Sequence, residues 1–214
     1  MKFHPPFRNI FNARKLFLLV ALCATARNEN LFANPTGMTV VSGSASAQQS
    51  GSQLNVTTSQ SALLNWNSFN IQQGETTTFI QPSASSVVLN EIGGANPSQI
   101  FGNLNANGTV ILANANGFYF GPNSMISVGG SFIATTAPLT PDFGAGSAWT
   151  FTGMPPLASI VNYGQIQVGS GKSLFLIAEQ IDNHGELNAP GGDIGLYAGE
   201  DILVSDRPDG RGDR

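Results

Sequence analysis

A regular internal repeat constrains this chain more than any other feature of its sequence. Four segments share an apolar start, a glycine corner, a mostly apolar strand and a final alanine. The final alanines fall at positions 113, 134, 178 and 198, with spacings of 21, 44 and 20. The corner glycines at 108, 130, 171 and 192 give spacings of 22, 41 and 21. A fixed period of this length is typical of a solenoid, in which each repeat forms one stacked unit.

This period, close to 21, predicts an all-β fold, a right-handed parallel β-helix with about three short strands in each rung. We expect Ala113, Ala134 and Ala198 to point into a narrow interior. Glycine and asparagine at the corners are expected to supply positive φ, and asparagines to stack in ladders from rung to rung. Residues 54–204 leave room for roughly six to eight rungs. The alternative, a β-sandwich, predicts turns about every 8–12 residues without a long repeat.

The larger gap in the repeat is close to two periods and contains several prolines, namely Pro138, Pro141, Pro155 and Pro156. Proline does not suit a central strand. We therefore expect an extra-helical loop, or an irregular turn of the coil, between residues 138 and 160. Residues 34–60, rich in Ser, Gly and Gln, are predicted to form an N-terminal cap, residues 61–204 the β-helical domain and residues 205–214 a disordered tail. Because no second cap follows the repeat, we expect a longer solenoid beyond Arg214.

Residues 1–33 have the pattern of a cleaved signal peptide. A basic segment is followed by an apolar stretch at residues 16–22, which is well short of the roughly 20 residues of a membrane helix. Small residues then offer cleavage after Ala26 or Ala33, and we expect Ala33. The lone cysteine, Cys23, lies in the removed part, and Leu22 before it does not fit a lipid-anchor motif. The mature chain is expected to pass through the periplasm and to be secreted or held at the cell surface.

Charge is scarce, at 10% of residues against about 25% in an average protein. Residues 34–171 contain no Lys, Arg, His or Cys, and their only charged residues are Glu75, Glu91 and Asp142. Nucleic-acid binding needs basic groups to neutralise phosphates and is therefore excluded.

Enzymes that cleave polysaccharides need clustered carboxylates, often with calcium or a base. The three carboxylates are predicted to lie on different rungs and to be solvated or capping groups. A denser set follows the spacing of the repeat, and consists of Asp182, His184, Glu186 and Asp193. We expect no catalytic site, no cofactor and no metal site.

Several long strings resemble the secretion domain of the filamentous haemagglutinins. They are residues 66–71, 74–82, 87–90, 96–100, 105–108 and 114–122. The resemblance implies the N-terminal domain of a large haemagglutinin- or adhesin-like exoprotein exported by two-partner secretion. It also implies recognition by a dedicated outer-membrane β-barrel transporter, and rung-by-rung folding that the domain, as a monomer, nucleates at the cell surface.

The family's Asn-Pro-Asn-Gly turn appears here with alanine in place of proline, at residues 114–117. We expect Asn116 and Gly117 to occupy positive-φ positions of that turn. The residues that the resemblance assigns to the turn motifs and to transporter recognition are Asn96, Pro97, Asn114, Asn116 and Gly117.

Two other functions stay open from the sequence, a self-contained surface adhesin that binds host cells or glycans, and a polysaccharide-active enzyme. Residues 211–213 spell Arg-Gly-Asp, an integrin-binding tripeptide, but three residues in a polar tail are a weak signal. Any contact with a host cell surface is expected to come from a passenger beyond Arg214.

Overall fold

A computed structural model describes residues 34–138, 148–151, 153–199 and 202–205 of the 214-residue chain. The predicted signal peptide, Asp142 and the Arg-Gly-Asp tripeptide lie outside these residues. Within them every regular element is a β-strand. The strands are β1 (Thr39–Ser42), β2 (Ala45–Ser50), β3 (Gln53–Thr58), β4 (Ser61–Trp66), β5 (Thr76–Ile80), β6 (Val87–Ile92), β7 (Ser98–Ile100), β8 (Asn103–Ala106), β9 (Thr109–Ala113), β10 (Phe118–Phe120), β11 (Met125–Val128), β12 (Phe132–Thr135), β13 (Ala148–Phe151), β14 (Ser159–Asn162), β15 (Gln165–Val168), β16 (Leu174–Ala178), β17 (Gln180–Asn183), β18 (Glu186–Asn188), β19 (Ile194–Ala198) and β20 (Ile202–Ser205).

The strands form a coil with three faces. Sheet 1 has the order β2-β3-β5-β8-β11-β15-β18, sheet 2 the order β1-β4-β6-β9-β12-β16-β19, and sheet 3 the order β7-β10-β14-β17. The chain visits sheets 1, 2 and 3 in turn, which gives six rungs: β3-β4, β5-β6-β7, β8-β9-β10, β11-β12-β14, β15-β16-β17 and β18-β19. The predicted parallel β-helix is confirmed. Its six rungs agree with the lower end of the predicted range, roughly six to eight.

Two antiparallel strands cover the N-terminal end of the coil. Strand β1 pairs antiparallel with β4, and β2 pairs antiparallel with β3. Strand β3 itself pairs parallel with β5 and so belongs to the first rung. An antiparallel partner uses the free edge of the first rung without extending the coil, and this is how a solenoid end is protected. The antiparallel cap therefore consists of β1 and β2, whereas β3, which lies within the predicted cap of residues 34–60, belongs to the coil.

The gap in the repeat is a loop and not an irregular turn of the coil. Strand register pairs Val110 with Phe132, and Phe132 with Leu174, so the second pair is almost twice as far apart in the sequence as the first. Rung 4 therefore stacks directly on rung 5, and the extra residues leave the coil between β12 and β14. Within the loop β13 pairs antiparallel with β20. The repeat pattern predicts residues 202–204 as part of the coil, and this is wrong, because a short apolar run does not specify its partner strand.

The interior of the coil is an apolar column in which the side chains alternate between inside and outside. In β9, Val110 and Leu112 point inward and are fully buried, and Leu112 pairs with the inward Ala134. Ala134 is confirmed as an interior residue. Ala113 is not one, because it pairs with Thr135 and points outward. Residues paired between β9 and β12 are 22 positions apart in the sequence, whereas Ala113 and Ala134 are 21 apart. Ala198 pairs with the interior Ala178 and so faces inward as expected, but it is exposed because it lies on rung 6, the last rung of the described coil.

A second apolar layer lies on the outside of sheet 2. Ile111, Ile133 and Phe175 pair in one row across three rungs and are at most 5% exposed. Ala137 and Met154, from the two ends of the loop between β12 and β14, pack against this row. Ala137 and Met154 therefore cover part of an apolar face that would otherwise meet water, which explains why β9 and β12 have few polar residues on either face.

The expected positive φ at the corner glycines is confirmed at Gly171, at +68°. Other corners work differently. Gly108 and Gly130 do not have positive φ; a Cβ on Gly130 would overlap the backbone of Gly108 and Thr109. Glycine is needed at these two positions because a side chain would overlap the backbone of the rung before. No asparagine within the described residues has positive φ, and Leu157, at +69°, is the one non-glycine residue there that does. The corner asparagines act through hydrogen bonds instead. The predicted ladder is confirmed at Asn162, whose Nδ2 donates to Asn183 Oδ1 at 2.7 Å.

Candidate recognition site

The link between β9 and β10 is a tight turn built on one asparagine side chain. Gly117 N donates to Asn114 O at 2.9 Å, and Asn116 N donates to Asn114 Oδ1 at 2.9 Å. Since neither Ala115 nor Asn116 has positive φ, this is a type I turn reinforced by an Asx hydrogen bond. The expected positive φ is confirmed at Gly117, at +99°, and is wrong at Asn116. Asn116 contributes its amide instead of an unusual backbone.

The same two asparagines fasten the turn to the rung before it. Asn114 Nδ2 donates to Asn96 O at 3.1 Å and to Ser98 Oγ at 3.0 Å, and Asn116 Nδ2 donates to Gly94 O at 2.7 Å. Asn114 is 1% exposed, and both atoms of its amide have partners. A buried amide that is fully hydrogen-bonded fixes the geometry of its neighbours, since any displacement leaves a polar atom unpaired in a dry environment.

The turn also reaches the rung after it. Asn114 N donates to Thr135 O at 3.0 Å. A Cβ on Gly117 would overlap Ser159 O, so the backbone of rung 4 lies directly against the turn. We call residues 93–98 together with 114–117 the amide corner. It holds three successive rungs, 2, 3 and 4, in register.

Above this buried network lies an exposed segment of chain. Asn96 and Pro97 are both exposed, whereas Ser98, the next residue, is 2% exposed and begins β7. Asn96 joins the network through its backbone carbonyl, and its side chain is exposed. The structure therefore brings four of the five predicted residues, Asn96, Asn114, Asn116 and Gly117, into one network, and places Pro97 on the surface beside them.

Sequence reasoning missed the partners of these residues and a second amide centre at Gln81. Gln81 Nε2 donates to Ser86 O at 3.2 Å and Thr109 O at 3.1 Å, and Gly108 N donates to Gln81 Oε1 at 2.9 Å. Gln81 is 5% exposed and joins rungs 2 and 3 between sheets 1 and 2. The available signal was the repeat itself, because each long-range partner lies on a neighbouring rung, 16 to 28 residues away in the sequence.

The carboxylates do not converge on a site. Glu75 is buried, and its Oε2 accepts a hydrogen bond from Gln72 N at 2.7 Å, which closes the turn before β5. Glu91 lies on β6 of sheet 2, on the same rung as Glu75 and not on a different one as predicted. Asp182 Oδ1 lies 2.9 Å from His184 Nε2 on the surface. Among the described residues there is no group of three or more side chains that could hold a metal ion.

Comparison with known proteins gives a consistent result at the level of sequence. The family model of the TPS secretion domain matches residues 31–212. A heme/hemopexin-binding protein of Haemophilus influenzae is 34% identical over 162 residues, covering 72% of this chain and 18% of that protein. A second heme/hemopexin-binding protein of that species is 43% identical over 81 residues, covering 38% of this chain and 9% of that protein. The chain therefore spans less than a fifth of the length of these curated relatives.

Comparison of structures agrees with it. The crystal structure of the HMW1 secretion domain from Haemophilus influenzae is similar, with a TM-score of 0.76 and 37% sequence identity. The match covers 81% of this chain and 47% of that one. The described residues contain no helix that is long and apolar enough to span a membrane.

Proposed function

This chain belongs to the family of TPS secretion domains, and from that premise we propose that a partner outer-membrane transporter recognises it at the amide corner. The family is one of secretion domains and not of enzymes, and its members are secreted by two-partner systems. The proposal adds the partner contact and assigns it to Asn96, Pro97, Asn114, Asn116 and Gly117.

The observation that carries this proposal is the pairing of an exposed segment with a rigid, buried support. Asn96 and Pro97 offer a polar amide and a rigid ring to a partner, without a charge. The turn at Asn114 fixes their backbone through hydrogen bonds to Asn96 O and to Gly94 O. A preorganised surface loses little conformational entropy when it binds, so this arrangement suits recognition.

We propose further that the amide corner starts the folding of the coil once it emerges from the cell. Parallel β pairing between distant parts of the chain is slow, which keeps a chain threadable before export. The corner joins rungs 2 to 4, so once formed it presents three paired strands in sheet 2 as a template for the next rung. The domain would cross the periplasm unfolded and fold as a monomer at the surface.

The wider exoprotein is part of the same proposal. We propose that this chain is the N-terminal secretion domain of a haemagglutinin- or adhesin-like protein, and that contact with host cells belongs to its other parts. The small share of the curated relatives that the chain spans supports this division. The names of those relatives describe binding of heme or hemopexin by much longer proteins.

Co-expression with the partner transporter in a Gram-negative host tests the recognition. The chain is expressed with and without that transporter, and its amount in the culture medium is measured by immunoblot. The double variant Asn96→Ala, Pro97→Ala keeps the backbone acceptor at position 96. We expect its secretion to fall about tenfold, which corresponds to roughly 1.4 kcal/mol of lost binding, with an unchanged thermal midpoint in the purified protein.

The matched control is Asn188→Ala, which removes another exposed amide on rung 6, away from the amide corner. It should be secreted like the unaltered chain. Equal secretion in the absence of the transporter would overturn the partner proposal. Normal secretion of the double variant would leave the partner in place but remove Asn96 and Pro97 from the contact.

A further inference from the structure

Four aromatic rings form a continuous row on the outside of the coil: Tyr119 lies within β10 of sheet 3, and the other three lie where sheet 3 turns into sheet 1. Phe101, Tyr119, Tyr163 and His184 come from rungs 2, 3, 4 and 5, one ring from each. The ring centroids lie 5.6 Å apart between Phe101 and Tyr119, 5.9 Å between Tyr119 and Tyr163, and 4.7 Å between Tyr163 and His184. We call this set the aromatic row.

The aromatic row is open to solvent, unlike the aromatic contacts of the interior. Tyr163 is 41% exposed and the side chain of His184 is 51% exposed, whereas the interior pair Phe118 and Phe120 is at most 2% exposed. Buried rings are sufficiently explained by the stability of the core. A row of rings at the surface is instead a platform whose apolar faces and edges, and whose polar tips, can meet a ligand.

An open cavity of about 260 Å³ lies at the end of the row next to Phe101. It is lined by Gln72, Gln73, Phe101, Pro122 and Asn123. Three of these five side chains carry amides, and all three amide residues are exposed. No charged residue lines the cavity. Side-chain amides both donate and accept hydrogen bonds, so polar groups beside an aromatic wall can orient a small molecule.

From these observations we propose that the cavity and the aromatic row bind a neutral oligosaccharide. Sugar hydroxyls both donate and accept hydrogen bonds, which matches the amides of Gln72, Gln73 and Asn123. The C–H face of a hexose packs on an aromatic ring such as Phe101. The residues that line the cavity carry no charged side chain that could pair with a charged ligand.

The spacing of the rungs also matches the length of one sugar unit. Neighbouring rungs lie about 4.8 Å apart, similar to the advance of one sugar along an extended β-linked chain. A linear oligosaccharide that starts in the cavity and runs along the coil would place successive sugars near Phe101, Tyr119 and Tyr163. The site lies between sheets 3 and 1, whereas the amide corner lies between sheets 2 and 3, so the two can be tested separately.

Titration of the purified chain with three neutral tetrasaccharides, cellotetraose, maltotetraose and lacto-N-tetraose, tests the proposal. Binding is followed by saturation-transfer difference NMR, with a heparin tetrasaccharide as the charged comparison. We expect at least one neutral sugar to bind with a Kd of about 1 mM or lower, which corresponds to roughly −4 kcal/mol. No binding of any of the three, or tighter binding of the heparin tetrasaccharide, would overturn the assignment.

Variants separate a ligand site from a structural stack of rings. Tyr163→Ser and Gln73→Ala change exposed side chains and should each weaken binding of the responding sugar at least several-fold. Phe101→Ala should abolish it, although the ring also contacts the backbone at Gly121. The control Met125→Ser alters a side chain that is 50% exposed on sheet 1 and should leave the Kd unchanged. If the three variants lower the thermal midpoint while the folded protein keeps its Kd, the row is structural and the proposal is wrong.

Discussion

Two sets of side chains, one at each edge of sheet 3, join successive rungs with opposite chemistry. At the edge shared with sheet 2, the amide corner uses buried side chains, with Asn114 at 1% exposure and hydrogen bonds into the rungs on both sides. At the edge shared with sheet 1, the aromatic row uses rings that are partly open to water, with Tyr163 at 41% exposure. The amide corner is polar and buried, whereas the aromatic row is apolar and partly exposed, although its edge of the sheet also carries the buried Asn162, which donates to Asn183.

This difference separates the side chains that hold the rungs in register from those that are free to bind a ligand. A buried amide network tolerates one arrangement, because a shift leaves donors or acceptors unpaired at a cost of about 1–3 kcal/mol each. Ring contacts at the surface have no such requirement and add about 0.5–1.5 kcal/mol for each pair. The amide corner should therefore dominate stability, and the aromatic row should matter more for binding than for folding.

The largest effect is expected from Gly117→Ala. A Cβ there would overlap Ser159 O, and the residue has a φ of +99°. Positive φ and overpacking each cost about 1–3 kcal/mol, so we expect a loss of about 3 kcal/mol in the free energy of unfolding, measured by urea denaturation. Gly51→Ala is the control, because φ is +56° but no atom lies within 4 Å of the added Cβ; it should cost about 1 kcal/mol. Equal losses would show that the turn does not depend on close contact with rung 4.

Asn114→Ala comes next. It removes the donor to Ser98 Oγ and Asn96 O, and leaves the N–H of Asn116 without its side-chain acceptor. We expect a loss of about 2–3 kcal/mol in urea denaturation, because these partners stay in or beside a dry environment. Asn188→Ala, on the exposed end of β18, should stay within about 0.5 kcal/mol of the unaltered chain. If Asn114→Ala lowered the free energy of unfolding no more than Asn188→Ala, the amide corner would not be the dominant contact between the rungs.

A smaller effect is expected in the aromatic row from Tyr163→Ser. The ring contacts Tyr119 and His184 and is already 41% exposed. We expect a loss of about 1 kcal/mol in the free energy of unfolding, less than for Asn114→Ala in the same urea series. A loss equal to that of Asn114→Ala would mean that the rings hold the rungs together as firmly as the amides do.

The coil could be predicted from the sequence, but the hydrogen bonds that hold its rungs together could not. The repeat predicted the parallel β-helix, the loop after β12 and the Asn162–Asn183 ladder, because each depends on a periodic pattern that one chain displays. It placed Ala113 on the wrong face, because the repeat shifts by one residue there and a single shift reverses the side of a strand.

The hydrogen bonds of the amide corner join residues that the sequence repeat does not identify as partners. Resemblance supplied Asn96, Pro97, Asn114, Asn116 and Gly117, but not the hydrogen bonds from Asn116 to Gly94 or from Asn114 to Ser98. Those partners become neighbours through stacking, 22 and 16 residues away. The outward burial of Ile111 likewise depends on Ala137 and Met154, which pack in the same cluster, and alternation in β9 alone cannot predict it.

The smallest effect, and the one of opposite sign, is expected from Ala115→Pro at the amide corner. Ala115 is exposed and occupies the second position of the type I turn, where proline is favoured and the φ of proline fits. The hydrogen bonds that close the turn come from the N–H groups of Asn116 and Gly117 and from side chains, so losing the N–H of residue 115 should remove none of them. Asn114 follows β9 directly, and an extended residue is what a following proline requires.

Restoring the family's proline should therefore stabilise the domain by about 0.4–1 kcal/mol, through lower entropy of the unfolded chain. The gain is measured by urea denaturation, and the secreted amount by immunoblot in the presence of the transporter. Ala95→Pro, in the exposed segment of the same corner, is the comparison, because it precedes Asn96 outside the turn and should bring no such gain. A loss of stability in Ala115→Pro would mean that the N–H of residue 115 or its φ is needed as it stands. A gain with unchanged secretion would show that the buried support of the amide corner can be made more stable without altering export.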